Sequence, residues 1–340
     1  MKISQIKSVI GLLVLSLLVP VTAVQAQNIR EHSLKFAVSF LKETGQAKGC
    51  LWFADRVREK SNGKIKITFY PGAVLGSDAQ INTQLQSGTV DFTLTSAGNL
   101  GGYDKALNLL DLPFLFNNSE EADFICDGPV GKQIAAKVIP KGLMVISWAE
   151  LGFQQFNNSK HPITKVEDFA DLKMRSQTMP LVLDIISGLG SAAVPMGFGE
   201  VYTAMEQKVV DGGANPFENI LFSKFYEVNK YLSVTNHNYA AMVFLMSKKT
   251  WDSLNSDEQR IIAEAGLDAS KEERRMMRES NNMAFENLKT LMQVNIVSEQ
   301  ERARMRDKVK PVFDKWVPEL GAALYKELQA ELANYRSGKK

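Results

Sequence analysis

The chain has 340 residues, room for two ordinary domains, and its 45% apolar and 23% charged residues are the proportions of a soluble globular protein. A formal net charge of +2, without any lysine- or arginine-rich run, argues against a nucleic-acid surface. Two cysteines and three histidines argue against a zinc site or a catalytic histidine cluster.

The first residues read as a secretory leader. Lys2 and Lys7 precede an apolar run from Ile10 to Val19, and Val24-Gln25-Ala26 is a small-x-small cleavage site. The apolar run is too short for a membrane anchor. The mature chain is expected to start near Gln27, in the periplasm. Residues 1–26 carry two lysines and no acid, so their removal takes the formal charge to zero. That compartment permits a disulfide between Cys50 and Cys126, but spacing alone does not show proximity. Two buried free thiols are expected.

Along the mature chain, Leu34, Phe36 and Val38 alternate with polar residues and predict a strand. Ala47, Leu51, Ala54 and Val57 recur at helical spacing until Ser61-Asn62-Gly63. Ile65, Ile67 and Phe69 predict a second strand, residues 78–87 a helix, and residues 90–94 a third strand. This β-α-β-α-β order predicts an α/β sheet covered by helices. The pattern restarts after Trp148. Strands are predicted over residues 172–175, 192–196 and 209–211. Helices are predicted from Pro180 to Gly188 and from Glu200 to Gln207. Residues 239–247 read as a strand crossing back to the first unit. Ser256-Asp257-Glu258-Gln259 reads as a capping box opening a long helical region.

Open α/β sheets bind ligands at the carboxyl ends of their strands. Three predicted ends fall in the second unit: Arg175, the turn Met196-Gly197-Phe198, and Val209-Val210-Asp211-Gly212-Gly213-Ala214-Asn215-Pro216. Arg175 offers a rigid cationic fork suited to a carboxylate. In the third segment the valines are expected to end a strand and the glycines to turn. Asn215 would then be offered to a bound molecule at a helix start set by Pro216. The plainer alternatives are a solvated strand end, an ordinary turn and a helix cap.

These residues resemble a known family. The segments Lys173-Met174-Arg175, Gly190 to Met196, Glu200-Val201-Tyr202-Thr203-Ala204-Met205-Glu206, Val210-Asp211-Gly212 and Asn215-Pro216 are similar, in order, to the DctP-type solute-binding proteins of tripartite ATP-independent periplasmic (TRAP) transporters. So are Gly63-Lys64-Ile65, Tyr70-Pro71, Leu75-Gly76, Leu112 to Phe116 and Lys224 to Val228. The resemblance covers nearly the whole mature chain. It implies an α/β fold, a periplasmic-binding-protein type II-like clamshell of two α/β domains joined by crossing strands and a long helix. The expected division is residues 27–150 with 241–280, and 151–240 with 281–336.

The family captures a small organic acid between the two domains and delivers it to a membrane permease driven by an ion gradient. The resemblance therefore implies a receptor and not an enzyme, with no cofactor and no metal. Its carboxylate-binding arginine maps onto Arg175, its ligand-facing asparagine onto Asn215 and its aromatic wall onto Phe198. First-domain contacts map onto Ser39, Ser96 and the neighbourhood of Asp78. Trp148 and Tyr239 are candidates for further aromatic surface. Members that bind acidic sugars or dicarboxylates often carry a second arginine in a G-x-R-Q segment. Here Gln154 stands in its place, in Gly152-Phe153-Gln154-Gln155. An amide does not neutralise a second carboxylate, so a monocarboxylate is expected.

Two rival functions remain at this point. One is a periplasmic enzyme, but the sequence has no G-x-S-x-G, H-E-x-x-H or phosphate-loop motif. The other is a receptor that presents ligand to a sensor or an ATP-driven importer, which shares the same architecture. A monomer is expected, with a dimer through the helical C-terminal third as the alternative.

Overall fold

The computed structural model describes residues 28–338, so the expected leader lies outside the described residues. Eleven strands occur among the described residues. In chain order they are β1 His32–Ala37, β2 Ile65–Tyr70, β3 Phe92–Ser96, β4 Leu143–Phe153, β5 Gln155–Asn158, β6 Lys173–Ser176, β7 Ala192–Pro195, β8 Gly212–Asn215, β9 Tyr231–Val234, β10 Tyr239–Ser247 and β11 Gln293–Ile296. They form two sheets, ordered β2-β1-β3-β10-β4 and β11-β9-β5-β8-β6-β7. In the first, β1 to β3 run parallel and β10 lies antiparallel between β3 and β4. In the second, β6 pairs in parallel with both β7 and β8.

All nine residues of β10 are buried, and its two faces feed two different cores. Ala241, Val243 and Leu245 join one, while Ala240, Met242, Phe244 and Met246 join the other. This is the period-2 alternation of a central strand covered on both faces. Under one face Phe36, Phe53, Phe92 and Phe244 pack with ring centroids 5.3–6.2 Å apart. Cys50 lies in this core and Cys126 in the other; both are free thiols.

The chain leaves the first sheet at Gln154, the single residue between β4 and β5. It returns through residues 235–238, between β9 and β10. The expected crossing strand is thus corrected: residues 239–247 lie wholly in the first sheet, and the crossing precedes them. A 36-residue helix, Ser256–Leu291, makes a third connection, from its contacts with β4 and the helix Gly45–Lys60 to β11. Its cap is also corrected by one residue. The Asn255 side chain accepts from Asp257 and Glu258 N–H, and Glu258 accepts from Asn255 N–H. The capping residue is whichever one sits extended before the first turn, and Asn255 does. Likewise the helix Pro180–Leu189 ends at Gly190, whose φ of 116° suits glycine. Gly188 instead lies inside that helix, where a side chain would meet Val312.

Candidate functional site

The parallel strands β6, β7 and β8 end side by side, and each end delivers an expected residue. Met174 points into a core. Alternation therefore turns Arg175 to the other face, between Val194 and Gly213 in register. Arg175 is 4% exposed. Its Nε and Nη2 donate to the Met196 carbonyl at 3.3 and 3.0 Å. Among the described residues no carboxylate comes within ion-pair distance of it. Burial pulls its pKa down to about 10, against the pull of Asp78 and Glu200. At neutral pH it remains a cation, desolvated and held by a carbonyl alone. A site built this way favours an incoming anion.

The segment Val209 to Pro216 differs from expectation. The strand is Gly212–Asn215, and the glycines lie inside it. An added Cβ on Gly212 would stand 1.9 Å from the Asn157 carbonyl oxygen, so β5 and β8 pair there only because the side chain is missing. Val209 and Val210 belong to the preceding turn, which begins at Lys208 with φ 59°. The Asp211 carboxylate accepts from Lys173 N–H and ties this turn to β6. β-branched residues favour a strand, but the available hydrogen-bonding partner decides where it lies. Asn215 ends β8 opposite Gln155, buried, with its Nδ2 3.4 Å from Asn157 Oδ1. Pro216 caps the helix Phe217–Phe222. Phe198, half-buried, opens a short 3-10 turn and packs 6.0 Å from Phe225.

The first sheet contributes the facing wall. Ser39 follows β1, Ser96 ends β3, and Asp78 opens the helix Asp78–Ser87. Burial raises the Asp78 pKa, opposed by Ser39, by the charge of Arg175 and by Asn99, whose amide donates to Asp78 Oδ2 at 3.3 Å. The charge of Asp78 thus reaches Arg175 from the other sheet. Ser96 is buried and its hydroxyl has no partner. Where the two sheets' segments meet, a Cβ on Gly98 would stand 2.0 Å from Met179 Cε.

Gln154, at the crossing, is buried with its Nε2 unpartnered. It lines a cavity with Asp111, His237, Asn238 and the apolar Val182 and Ile186, bordered by Arg175 to Gln177. Asp111 Oδ2 also lacks a partner, and burial pushes that carboxyl up to about 8, so it keeps its proton at neutral pH. His237 stacks on Phe156 at 4.1 Å and bonds Thr235 Oγ1 at 2.8 Å; burial and Arg302 hold it neutral, with a pKa near 3. Sequence reasoning missed Asp111, His237 and Asn238. Asp111 directly precedes the family-like Leu112-Pro113-Phe114, and that adjacency was the available signal.

Trp148 and Tyr239 are corrected from pocket to core. Trp148 sits mid-strand opposite Val243, buried, and Ser270 bonds its carbonyl. Tyr239 packs between Phe116 and Phe153, with its hydroxyl donating to Glu150 at 3.2 Å. Of the expected site residues only Arg175 and Gln154 line the cavity; Asn215, Phe198, Ser39 and Ser96 lie outside that lining, as do Trp148 and Tyr239. Among the described residues no cluster of three or more histidine, cysteine, aspartate or glutamate side chains is placed to hold a metal ion. No described helix is long and apolar enough to cross a membrane.

Residues 37–319 match the family described as bacterial extracellular solute-binding protein, family 7, or DctP. The chain belongs to this family. It is a TRAP-type solute-binding protein, and its relatives are receptors, not enzymes. It is 28% identical to the 2,3-diketo-L-gulonate-binding periplasmic protein YiaO of Escherichia coli, over 89% of this chain and 93% of that one. A solved sugar acid binding protein from Advenella mimigardefordensis, DctPAm in complex with galactonate, superposes with a TM-score of 0.88 at 34% identity, covering 90% and 99% of the two chains. A TRAP periplasmic solute-binding protein from Ochrobactrum anthropi, with a C-terminus bound in the ligand-binding pocket, does so at 0.84 and 42% identity, covering 91% and 97%. The receptor shares the mixed α/β clamshell of these structures. DctP proteins are periplasmic and bind organic acids.

Proposed function

We propose that this receptor, once its leader is cleaved, captures a small acid with a single carboxylate and delivers it to a TRAP permease for ion-gradient-driven uptake. The lobes follow the expected division with its bounds moved to the strand ends, residues 28–153 with 239–280, and 154–238 with 281–336. The last helix, Ala322–Arg336, packs back onto Ser119–Asp127 of the first lobe. Arg175 holds the carboxylate as a fork, Asn215 hydrogen-bonds beside it, and Phe198 supplies an aromatic wall. Ser39, Ser96 and Gln154 meet the remainder of the ligand.

The observation that carries this reading is the buried Arg175 guanidinium, satisfied by one carbonyl. The monocarboxylate preference rests on charge. Gln154 is neutral where a second cation would be needed, and the Asp78 charge faces Arg175. Galactonate and 2,3-diketo-L-gulonate, named for two relatives, each carry one carboxylate.

The test is calorimetry of the mature protein against monocarboxylates, dicarboxylates, sugar acids, keto acids, aromatic acids and their amides. Binding of an acid but not its amide supports the clamp. Tighter binding of succinate than of any monocarboxylate overturns the charge argument. Full affinity in Arg175→Lys overturns the fork, because an ammonium lacks its two parallel donors.

A further inference from the structure

Glu218 lies three residues beyond Asn215, in the first turn of the helix Phe217–Phe222. It is 0% exposed. Its Oε1 accepts from the backbone N–H of Gly45, at the start of the helix Gly45–Lys60, which packs under the first sheet. The chain on either side of Glu218 belongs to the second sheet, so this bond joins the two lobes. Thr44 caps Ala47 N–H at that helix start, and Glu218 takes the Gly45 donor. Behind Glu218 runs the long helix Ser256–Leu291, which touches both shorter helices. Asn281 of the long helix accepts from Glu218 N–H and reaches the Leu151 carbonyl at 3.4 Å, close to the crossing at Gln154. Glu218 Oε2 makes no full hydrogen bond, and the Ser280 hydroxyl beside it is near enough to favour its charged form.

We propose that Glu218 is a proton-binding latch between the lobes: closure buries its carboxyl against the start of the helix Gly45–Lys60 and takes up one proton from solvent. The proposal rests on the two-lobe closure of the proposed function, not on the identity of the ligand.

In the open form the carboxyl meets water and ionises in the ordinary carboxylate range. In the closed form burial pushes it up to about 7, restrained by Gly45 N–H, the charge of Lys48 and Ser280. Once protonated, its carbonyl oxygen still accepts from Gly45. The other charged groups facing it are Lys48, on the helix Gly45–Lys60, and Glu273, on the long helix. Burial holds Glu273 well above the carboxylate range. The helix Phe217–Phe222 has no other charged residue. The sign follows: closure is favoured as pH falls through about 7, and the gain is complete below the ordinary carboxylate value near 4.5.

The test needs no ligand. Spin labels on the exposed Thr83 and Thr203, one on each side of the cleft, report the inter-lobe distance in the mature protein at pH 8.0 and 5.5. The closed-to-open ratio is expected to rise by about tenfold or more at the lower pH. Asp78 and Asp111 also have raised pKa values and add to the change, so the comparison with Glu218→Gln isolates the latch. That variant should lose the Glu218 share, about tenfold, and keep the share of the two aspartates. Should it fail to fold, Ser280→Ala removes one group that favours the ionised form, and the midpoint of closure should move to higher pH. An unchanged ratio in the natural protein, an equal pH dependence in Glu218→Gln, or an unmoved midpoint in Ser280→Ala overturns the latch. Loss of all acid binding in the calorimetric panel would instead count against the proposed function and leave this distance measurement intact.

Discussion

Replacing Arg175 by methionine should move ligand affinity and ligand-free stability in opposite directions. The side chain is 4% exposed and, among the described residues, no carboxylate pairs with it. Its pKa falls from 12.5 to about 10 because burial penalises the charge. At 1.36 kcal/mol per pH unit, the empty site carries a strain of about 3 kcal/mol. Methionine keeps most of the chain packing and removes the charge, and replacing a buried ionic group by apolar atoms is often stabilising by roughly 1–4 kcal/mol. The loss of two bonds to the Met196 carbonyl offsets part of that, about 1 kcal/mol. The ligand-free protein should therefore gain roughly 1–2 kcal/mol, read as a melting temperature higher by about 2–3 °C for a chain of this size. Binding of an acid should weaken by about 3–5 kcal/mol, or two to nearly four decades in Kd, since the ligand carboxylate then enters a buried site without a partner. Scanning calorimetry and titration calorimetry on the same preparation read both. A ligand-free protein that melts several degrees lower while acid affinity is retained would refute the reasoning, because Arg175 would then be a structural bond and not a waiting charge.

Three further outcomes are expected. Gly212→Ala places a methyl group against the Asn157 backbone and should cost at least about 3 kcal/mol in urea unfolding. Gly213→Ala, whose nearest contact is an ordinary 3.4 Å, should stay within about 1 kcal/mol, and equal costs would contradict the strand assignment. Gln154→Arg adds a second cation beside the cavity and should shift selectivity toward dicarboxylates by about tenfold or more, measured by calorimetry as a ratio of affinities. Burial alone would raise the pKa of Glu258. The Arg30 side chain, with the Arg30 and Asn255 N–H groups and His32, instead holds it at about 2. Its stabilising contribution is present above pH 4.5 and lost as pH falls toward 2. The destabilisation in Glu258→Gln should accordingly be largest near neutrality and shrink in acid melts.

Much of this fold was legible in the residues because the signals are local. Alternation at Leu34, Phe36 and Val38, helical spacing through Val57, and the Ser61-Asn62-Gly63 stop need only neighbouring side chains, and β1 and the helix Gly45–Lys60 stand where they indicate. The arginine at the end of a parallel strand was legible for the same reason. So was the absence of a second arginine at Gln154, which is a matter of residue identity.

What only the tertiary structure decided involves partners distant in the chain. The valines at 209 and 210 have the stronger strand propensity, yet the strand is Gly212–Asn215, because β5 approaches so closely that only glycine fits. Tyr239 became core because β10 is sandwiched between β3 and β4 and buried on both faces, and Trp148, on the edge strand β4, because its side chain joins the same core. Asp78, Asp111 and Glu218 look like ordinary acids in the sequence. Their desolvation, and hence their raised pKa values, arises only from tertiary packing. Local sterics and side-chain periodicity are properties of the chain. Burial and close approach are properties of its packing, and the charge state of this cleft belongs to the second kind.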